Sequence, residues 1–379
     1  MKVKESVAKP IGYIPTLDGW RACAILAVIV DHLSPPGSGL EKLPHWVLWA
    51  KAGSGEKGVQ LFFAISGFLI TSRLIEEWNC FGRISLKRFY VRRVCRILPP
   101  AMTYLLVIGL LGVAGVLSFN WRNWLSAVCF YRNYMPVWSS LFDRHYWSLS
   151  LEEQFYLVWP ALMVLSGLYR SRYTALMLII TIASWRWIAY HCLYLWRGAL
   201  PQGEFWLRSD ICADGLLAGC LFAFALDSPI MKKWLSKYLT LWALAVIIIV
   251  ILATGGRTNT PGARTIQSAL MPFLILATIL NPHTWLGRLL EIPGIRWVGR
   301  LSYSIYIWQQ LFTCQRMFPW YPLQLAVLFG VAALSFYCIE KPMIRLGYRL
   351  APPPSLGHND LGAIRRRLPR DGVERKCAE

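Results

Sequence analysis

The sequence predicts an all-α fold, a polytopic membrane bundle of about ten transmembrane helices. Hydrophobic residues make up 56% of the 379 residues, and charged residues make up only 16%. The mean hydropathy of +0.41 is more apolar than that of soluble domains of average composition. Apolar runs of about twenty residues, the length that crosses the hydrocarbon core of a bilayer, recur along the whole chain.

These apolar runs give ten candidate spans. Lysine and arginine are retained in cytoplasmic loops, and in this arrangement 27 of them fall on one side of the membrane against 11 on the other. The imbalance predicts that both termini are cytoplasmic. The spans lie near residues 17–34, 58–75, 97–117, 146–166, 173–191, 210–226, 238–254, 265–282, 298–315 and 323–340.

We interpret residues 1–350 as a single transmembrane domain and residues 351–379 as a polar, basic, cytoplasmic tail that is disordered. The basic run of the tail, Ile364–Arg370, is expected to contact anionic lipid headgroups, and no nucleic acid partner is predicted. The ten cysteines of the chain include no C-x-x-C pair and no histidine spacing suited to zinc. We therefore expect neither a metal site nor a disulfide framework.

The first span, Leu17–Leu33, contains two ionisable residues on one face. Arg21 and His32 are eleven residues apart, which is three helical turns plus roughly 20° and about 16 Å along the axis. An ionisable residue inside a span costs on the order of 3 kcal/mol and normally faces the bundle interior or a water-filled cavity. The pair therefore predicts a polar cavity, which we take as the candidate site.

The second span has Ser66 and Gly67 at its centre. Small residues let neighbouring helices approach closely, and they also leave backbone groups that a cavity can use. Packing alone accounts for such a pair as readily as a site does, so both interpretations stay open.

A basic amphipathic segment, Leu86–Pro100, follows the second span. Arg93 and Arg96 are three residues apart and so lie on one helix face, with Arg88 and Arg92 nearby. Such a segment is typical of a cytoplasmic anchor, but arginine also binds phosphate through two parallel hydrogen bonds. The density of arginines favours a site for an anionic ligand such as a nucleotide or coenzyme A.

The fourth span begins with His145–Tyr156, and Glu152 lies about 9 Å from its outer end. His32 lies at a similar depth in the first span. A carboxylate beside a histidine can orient the imidazole as a general base that removes a hydroxyl proton. Glu152 could instead pair with Arg21 and hold two helices together, and the sequence leaves both pairings open.

Six segments of the chain occur in a characteristic order: LDGWRACAILAVIVDH, GVQLFFAISGFLI, FYVRRVCRILPP, WSLSLEEQFY, GRLSYSIYIW and IEKP. In these segments, which span residues 17–342, the chain resembles the acyltransferase-3 family of integral membrane acyltransferases. The resemblance implies transfer of an acyl group, most often acetyl from acyl-coenzyme A, to a sugar hydroxyl of a glycan or glycolipid. It also implies a protein of the bacterial inner membrane, in contact with membrane lipids.

The resemblance implies roles for individual residues. Arg21 and His32 match the Arg/Lys-x10-His pair of the family. Arg93 and Arg96 match its Arg-x-x-Arg pair, and Glu152 matches the acid of its Ser-Leu-Ser-x-Glu segment. Further residues are expected to bind the donor (Arg92) and the substrate (Ser66, Trp147, Ser148 and Ser150). At Gln309 the chain departs from the pattern, because many relatives have a histidine there.

We therefore expect an O-acetyltransferase that uses acyl-coenzyme A as a co-substrate and holds no permanent cofactor. His32, Glu152 and Arg21 are the expected catalytic residues, with His32 acting as general base or as a transient carrier of the acyl group. A secondary transporter with an intramembrane Arg/His/Glu site is the alternative function, and a non-catalytic scaffold is another. A transporter would be favoured by inverted internal repeats, and none is evident in the sequence.

Overall fold

The computed structural model describes residues 13–33, 53–136, 140–198, 203–254, 260–313 and 321–352. Within these ranges the chain is helical and has no β-strand, which confirms the all-α prediction. The α-helices in chain order are α1 Pro15–His32, α2 Ser54–Phe81, α3 Leu86–Val113, α4 Trp121–Val128, α5 Tyr146–Ser166, α6 Ser171–Arg197, α7 Ser209–Cys212, α8 Asp214–Asp227, α9 Pro229–Tyr238, α10 Leu241–Ala253, α11 Pro261–Leu280, α12 Trp285–Leu290, α13 Pro293–Thr313, α14 Tyr321–Ser335 and α15 Lys341–Leu350. Short 3-10 turns lie at Arg132–Tyr134 and Gly203–Leu207, and a π-helical turn, Phe336–Glu340, joins α14 to α15.

In the described part of the chain, five helical segments are long and apolar enough to cross a membrane: α2, α3, α6, α11 and the continuous stretch Pro322–Leu350. The α8–α9 pair, which is bent by 107°, gives a sixth if it counts as one span. Each of the ten predicted spans is mostly helical over its described residues, but α1, α5 and α13 are too polar to qualify by composition and α10 is too short. The number of ten therefore stays a prediction. The predicted tail lies outside the described residues beyond 352, so the domain boundary also stays a prediction.

The centre of the bundle is built on α2, which packs against α1 and α8, and on α13, which packs against α1. Two glycines let these backbones touch. A Cβ atom on Gly67 of α2 would overlap the carbonyl oxygen of Leu216 in α8, and one on Gly299 of α13 would overlap that of Asp18 in α1. Gly67 therefore serves the close approach of helices, as small residues do in membrane bundles.

Tyrosine hydroxyl groups fix α3 around its double proline, Pro99-Pro100. Tyr303 of α13 donates to the carbonyl oxygen of Ile97 at 2.8 Å, and Tyr146 of α5 donates to that of Ala101, also at 2.8 Å. Proline donates no backbone hydrogen bond and weakens a helix locally. These cross-links hold the first half of α3 against α5 and α13.

Three almost completely buried arginines in the described ranges each meet a carboxylate. The Arg186 guanidinium binds both oxygens of Asp214, at 2.7 Å and 3.2 Å, and also donates to the Ile211 carbonyl oxygen and the Thr265 hydroxyl group. Such geometry compensates for the removal of both charges from water. The other two pairs are Arg132–Asp143, at 2.9 Å, and Arg264–Glu56.

Candidate active site

A cavity lies between α1, α2, α3, α5 and α13. It contains about 820 Å³ of empty space, part of which is open to the outside. The apolar part of its wall comes mainly from α2, with Val59, Phe62, Phe63, Ile65 and Leu69. The polar part consists of Arg21, Ser66, Arg93, Arg96, Ser148, Glu152, Tyr156, Ser302, Tyr303 and Tyr306.

The helices run lengthwise along this cavity. Gly58 of α2 packs against Ala24 and Val28 of α1, and Gly55 packs against Asp31, so α1 and α2 are antiparallel. We call the end of the bundle at which α1 ends, at His32, the histidine end. The opposite end, at which α3 begins, we call the arginine end.

Three half-buried arginines, Arg21, Arg93 and Arg96, contribute to the cavity wall. None of them forms a hydrogen bond or an ion pair with another described residue. The Arg93 guanidinium instead lies over the ring of Tyr156, 4.7 Å from its centroid, and the Nε atom of Arg21 is buried without a partner. Guanidinium groups bind phosphate and carboxylate in a bidentate manner, so three free ones in one cavity indicate an anionic ligand.

Glu152 is the one carboxylate among the residues that line the cavity. It accepts hydrogen bonds from the Tyr156 hydroxyl group at 2.8 Å and from Ser66 Oγ at 3.3 Å. It also interacts electrostatically with Arg93 and Arg21. Of the two partners that the sequence left open, the structure thus places Arg21 in the same cavity as Glu152, at more than salt-bridge distance.

His32 lies at the end of α1 and is not among the residues that line the cavity. Its Nδ1 atom is 2.8 Å from the Val28 carbonyl oxygen, and because a carbonyl can only accept, Nδ1 carries the hydrogen. The Nε2 lone pair is then available to a proton, as a general base requires. Val28 packs beside Gly58, next to the lining residue Val59, and so lies at the limit of the cavity along α1. His32 is one helical turn further toward the histidine end.

The predicted substrate-binding residues divide into two groups. Ser66 and Ser148 line the cavity, and Trp147 packs edge-on against the lining residue Phe63, with ring centroids 6.0 Å apart. Ser150 faces away. Its buried Oγ accepts the backbone N–H of Arg132 at 3.2 Å, which is a structural contact.

Arg92, a predicted donor-binding residue, is not part of the cavity wall. Its guanidinium lies 4.0 Å from Glu77 and 5.9 Å from the ring centroid of Tyr348. Since residues on an α-helix differ by about 100° in direction, Arg92 points to a different neighbour from Arg93. The structure therefore brings the Arg-x-x-Arg pair together with Arg21 but leaves Arg92 outside.

Three tyrosines that had no role in the sequence interpretation line the cavity: Tyr156, Tyr303 and Tyr306. The Tyr306 hydroxyl group lies 2.5 Å from Ser148 Oγ and donates to the His145 carbonyl oxygen at 3.1 Å, which joins α13 to the beginning of α5. The signal that could have revealed two of them is the spacing of Tyr303 and Tyr306, which places both on one face of α13.

Known proteins resemble this chain over most of its length. The acyltransferase-3 family model, described as an acyltransferase domain, matches residues 14–340. The peptidoglycan O-acetyltransferase OatA of Listeria monocytogenes is 29% identical over 368 residues, covering 89% of this chain and 56% of that protein. The protein YrhL of Bacillus subtilis is 31% identical over 380 residues, with 89% and 56% covered.

The chain thus spans a little more than half the length of these relatives. No solved structure matches it significantly. The family match extends over all five helices that form the cavity and includes Arg21, His32, Arg93, Arg96 and Glu152. Because it also covers most of the chain, the protein belongs to the acyltransferase-3 family of membrane acyltransferases.

Proposed function

We propose that the protein transfers an acyl group, acetyl in the simplest case, from acyl-coenzyme A to a hydroxyl group of a glycan. The observation that carries the proposal is the set of three cavity arginines without a described partner, Arg21, Arg93 and Arg96. Coenzyme A is polyanionic through its phosphates, so it supplies oxygen acceptors for guanidinium groups that have no described hydrogen-bond partner. The peptidoglycan O-acetyltransferase named among the relatives supports a glycan as the acceptor.

The proposed topology determines which end of the cavity faces the cytoplasm. With ten spans and both termini in the cytoplasm of a bacterial inner membrane, the arginine end faces the cytoplasm and the histidine end faces outward. The donor then enters where acyl-coenzyme A is available. Its phosphates bind near Arg93 and Arg96, while its pantetheine arm carries the thioester along the apolar wall of α2 toward His32.

The reaction needs a base at the histidine end. In the proposed step His32 Nε2 takes the proton of the acceptor hydroxyl group as its oxygen attacks the thioester carbonyl carbon. The new C–O bond forms, the C–S bond breaks, and the coenzyme A thiolate recovers a proton from the imidazolium. A variant in which His32 carries the acyl group covalently requires the same atoms and remains part of the proposal.

Arg21 and Glu152 act on the donor in this scheme. Arg21 is about 16 Å from His32 along α1, so the two side chains do not act on the same atom. Arg21 shares the cavity with the Arg-x-x-Arg pair instead, and Glu152 limits the excess of positive charge there. We infer that both residues position the donor.

Purified protein incubated with labelled acetyl-coenzyme A and a glycan acceptor tests the proposal. The wild type should transfer the label, and His32→Ala should lower the rate by a factor of about 10² or more, the usual loss for general acid–base catalysis. His191→Ala is the matched control, because His191 is exposed on α6 and stacks on Trp187 away from the cavity.

The amount of folded protein is measured in the same samples. A His32→Ala rate within a few-fold of the wild type would exclude the base. A wild type that turns over no acetyl-coenzyme A, but exchanges a labelled anion across vesicles, would support the transporter alternative.

A further inference from the structure

The histidine end contains buried polar groups that the proposed mechanism does not use. His145 is 3% exposed and Gln309 is completely buried, while the indole of Trp308 is 8% exposed. The two amide atoms of Gln309 and the Nε1 atom of Trp308 have no hydrogen-bond partner in the described structure, and the His145 ring has none apart from a backbone contact with Ile307. Buried polar groups are bonded in more than about 90% of cases, so a cluster of this kind requires an explanation.

Ring contacts bring these residues together. The Tyr104 ring lies 5.4 Å from that of Trp308 and 5.4 Å from that of His145, and the His145 ring is 5.6 Å from that of Tyr306. At about 100° per residue, Gln309 projects from α13 between the directions of Tyr306 and Trp308. The amide is therefore directed toward the same aromatic group.

The cluster lies beside the cavity wall, although none of His145, Trp308 and Gln309 is among the lining residues. Ser302 and Tyr306 line the cavity, and Gln309 follows them on the same face of α13 with the spacing i, i+4, i+7. The bond between Tyr306 and Ser148 lies between the arginines and the cluster. Beyond it, His145 is near enough to His32 for the two rings to interact electrostatically.

The chemistry of the cluster favours a neutral ligand with several hydroxyl groups. It offers donors and acceptors beside aromatic faces, and none of His145, Trp308 and Gln309 is an acid or a permanent cation. Sites for uncharged ligands combine aromatic walls with a few such polar groups. The arginine end differs because three guanidinium groups form part of the cavity wall there, whereas Arg144 acts on His145 and Tyr306 from outside that wall.

We propose that His145, Trp308 and Gln309 form the acceptor subsite, which holds a neutral sugar so that one of its hydroxyl groups faces His32. This inference rests on the proposed function, and it adds the place and the chemical class of the acceptor. Donor and acceptor then approach from opposite ends of the bundle, and the thioester passes the Tyr306–Ser148 bond to meet the hydroxyl group at His32.

The test uses the full chain in lipid nanodiscs, with acetyl-coenzyme A as donor and an oligosaccharide of N-acetylglucosamine as the acceptor probe. Gln309→Leu removes both amide groups at similar volume and should raise the acceptor KM about ten-fold, with an unchanged acetyl-coenzyme A KM. Trp308→Phe keeps an aromatic ring but removes the N–H group, and it should raise the acceptor KM a few-fold. Gln309→His keeps one hydrogen-bond donor and one hydrogen-bond acceptor, and it should retain the wild-type KM for the sugar acceptor.

Gln60→Leu is the matched control. Gln60 is a buried glutamine on α2 whose amide atoms also lack a described partner, and it does not line the cavity. It should leave the acceptor KM unchanged. An equal effect of Gln60→Leu and Gln309→Leu, or an acceptor KM within two-fold of the wild type for both Gln309→Leu and Trp308→Phe, would overturn the subsite.

Two further outcomes distinguish a failure of this inference from a failure of the proposed function. A wild type that hydrolyses acetyl-coenzyme A but acylates no neutral sugar overturns the subsite and leaves the donor site standing. A wild type that turns over no acetyl-coenzyme A overturns the proposed function. The subsite is then tested by the binding of labelled oligosaccharide in the absence of acetyl-coenzyme A. The Gln309→Leu variant should bind it about ten-fold more weakly than the wild type.

Discussion

Arginine is buried in two different ways in this molecule. The paired arginines, each almost completely buried beside a carboxylate, are Arg132, Arg186 and Arg264. The cavity arginines, half-buried and without a described partner, are Arg21, Arg93 and Arg96. A charge taken out of water is destabilising unless it is paired, so the first set is complete within the chain. The second set interacts with Glu152 and Glu340 electrostatically but forms no ion pair or hydrogen bond with a described residue. The first set holds the fold, and in the proposed function the second binds the donor.

The largest expected effect is a loss of stability at a paired arginine. Asp214→Asn keeps the shape of the side chain but leaves the Arg186 charge buried and uncompensated. Removing one partner of a buried pair costs about 3–5 kcal/mol, so the variant should unfold at a clearly lower temperature in detergent.

The double variant Arg186→Met with Asp214→Leu is the control, because replacing the whole pair by apolar side chains is often neutral or stabilising. It should recover most of the stability that Asp214→Asn loses. An Asp214→Asn protein as stable as the wild type would contradict the structural role of the pair.

The cavity arginines should respond in the opposite way. Arg93→Lys combined with Arg96→Lys keeps the charge and the topology but loses the bidentate geometry, so acetyl-coenzyme A should bind about ten-fold more weakly. The unfolding temperature should stay near that of the wild type, because no hydrogen bond or ion pair with a described residue is lost and lysine can keep a cation near the Tyr156 ring. Equilibrium binding of labelled acetyl-coenzyme A and thermal unfolding measure the two quantities.

Arg92→Lys sharpens this comparison on the same helix. Arg92 lies outside the cavity beside Glu77, so its replacement should change donor affinity much less. Equal weakening by Arg92→Lys would mean that donor binding also uses guanidinium groups outside the cavity, which would contradict the placement of the donor site.

The smallest expected effect concerns the carboxylate that faces the cavity arginines. Tyr156→Phe removes the hydrogen bond at 2.8 Å to Glu152, which is worth about 1 kcal/mol, so the acyl transfer rate should fall about five-fold. Tyr173→Phe, at an exposed position on α6, is the control and should have no effect. A Tyr156→Phe rate equal to that of the wild type would show that Glu152 needs no support from this hydroxyl group.

The comparison also shows which parts of the site could be predicted. Arg21, Arg93, Arg96 and Glu152 were predictable because a charge within or beside an apolar helix has few places to go except a cavity. Helical periodicity predicted that Arg93 and Arg96 share a face, and both line the cavity, whereas for Glu152 it predicted only a depth. It could not give the position of His32 relative to the cavity, because the length of a cavity along the helix axis depends on how the neighbouring helices pack.

The paired arginines could not be recognised in the sequence. Arg186 and Asp214 are 28 residues apart and lie on different helices, so their meeting is a property of the tertiary fold. The same holds for Ser150, which lies two residues from Glu152 but faces the backbone of Arg132. Sequence alone therefore predicts that a residue is polar inside the bundle, but not which neighbour it meets.

The close backbone contacts at Gly67 and Gly299 have a mechanical consequence. They lock α1, α2, α8 and α13 together, because any sliding or rotation there would force backbone atoms into one another. The helices α3 and α5 pack less extensively against this group. Under the proposed function, any adjustment to a donor as large as acyl-coenzyme A therefore falls to α3 and α5, which carry the Arg-x-x-Arg pair and Glu152, and not to α1, which carries His32.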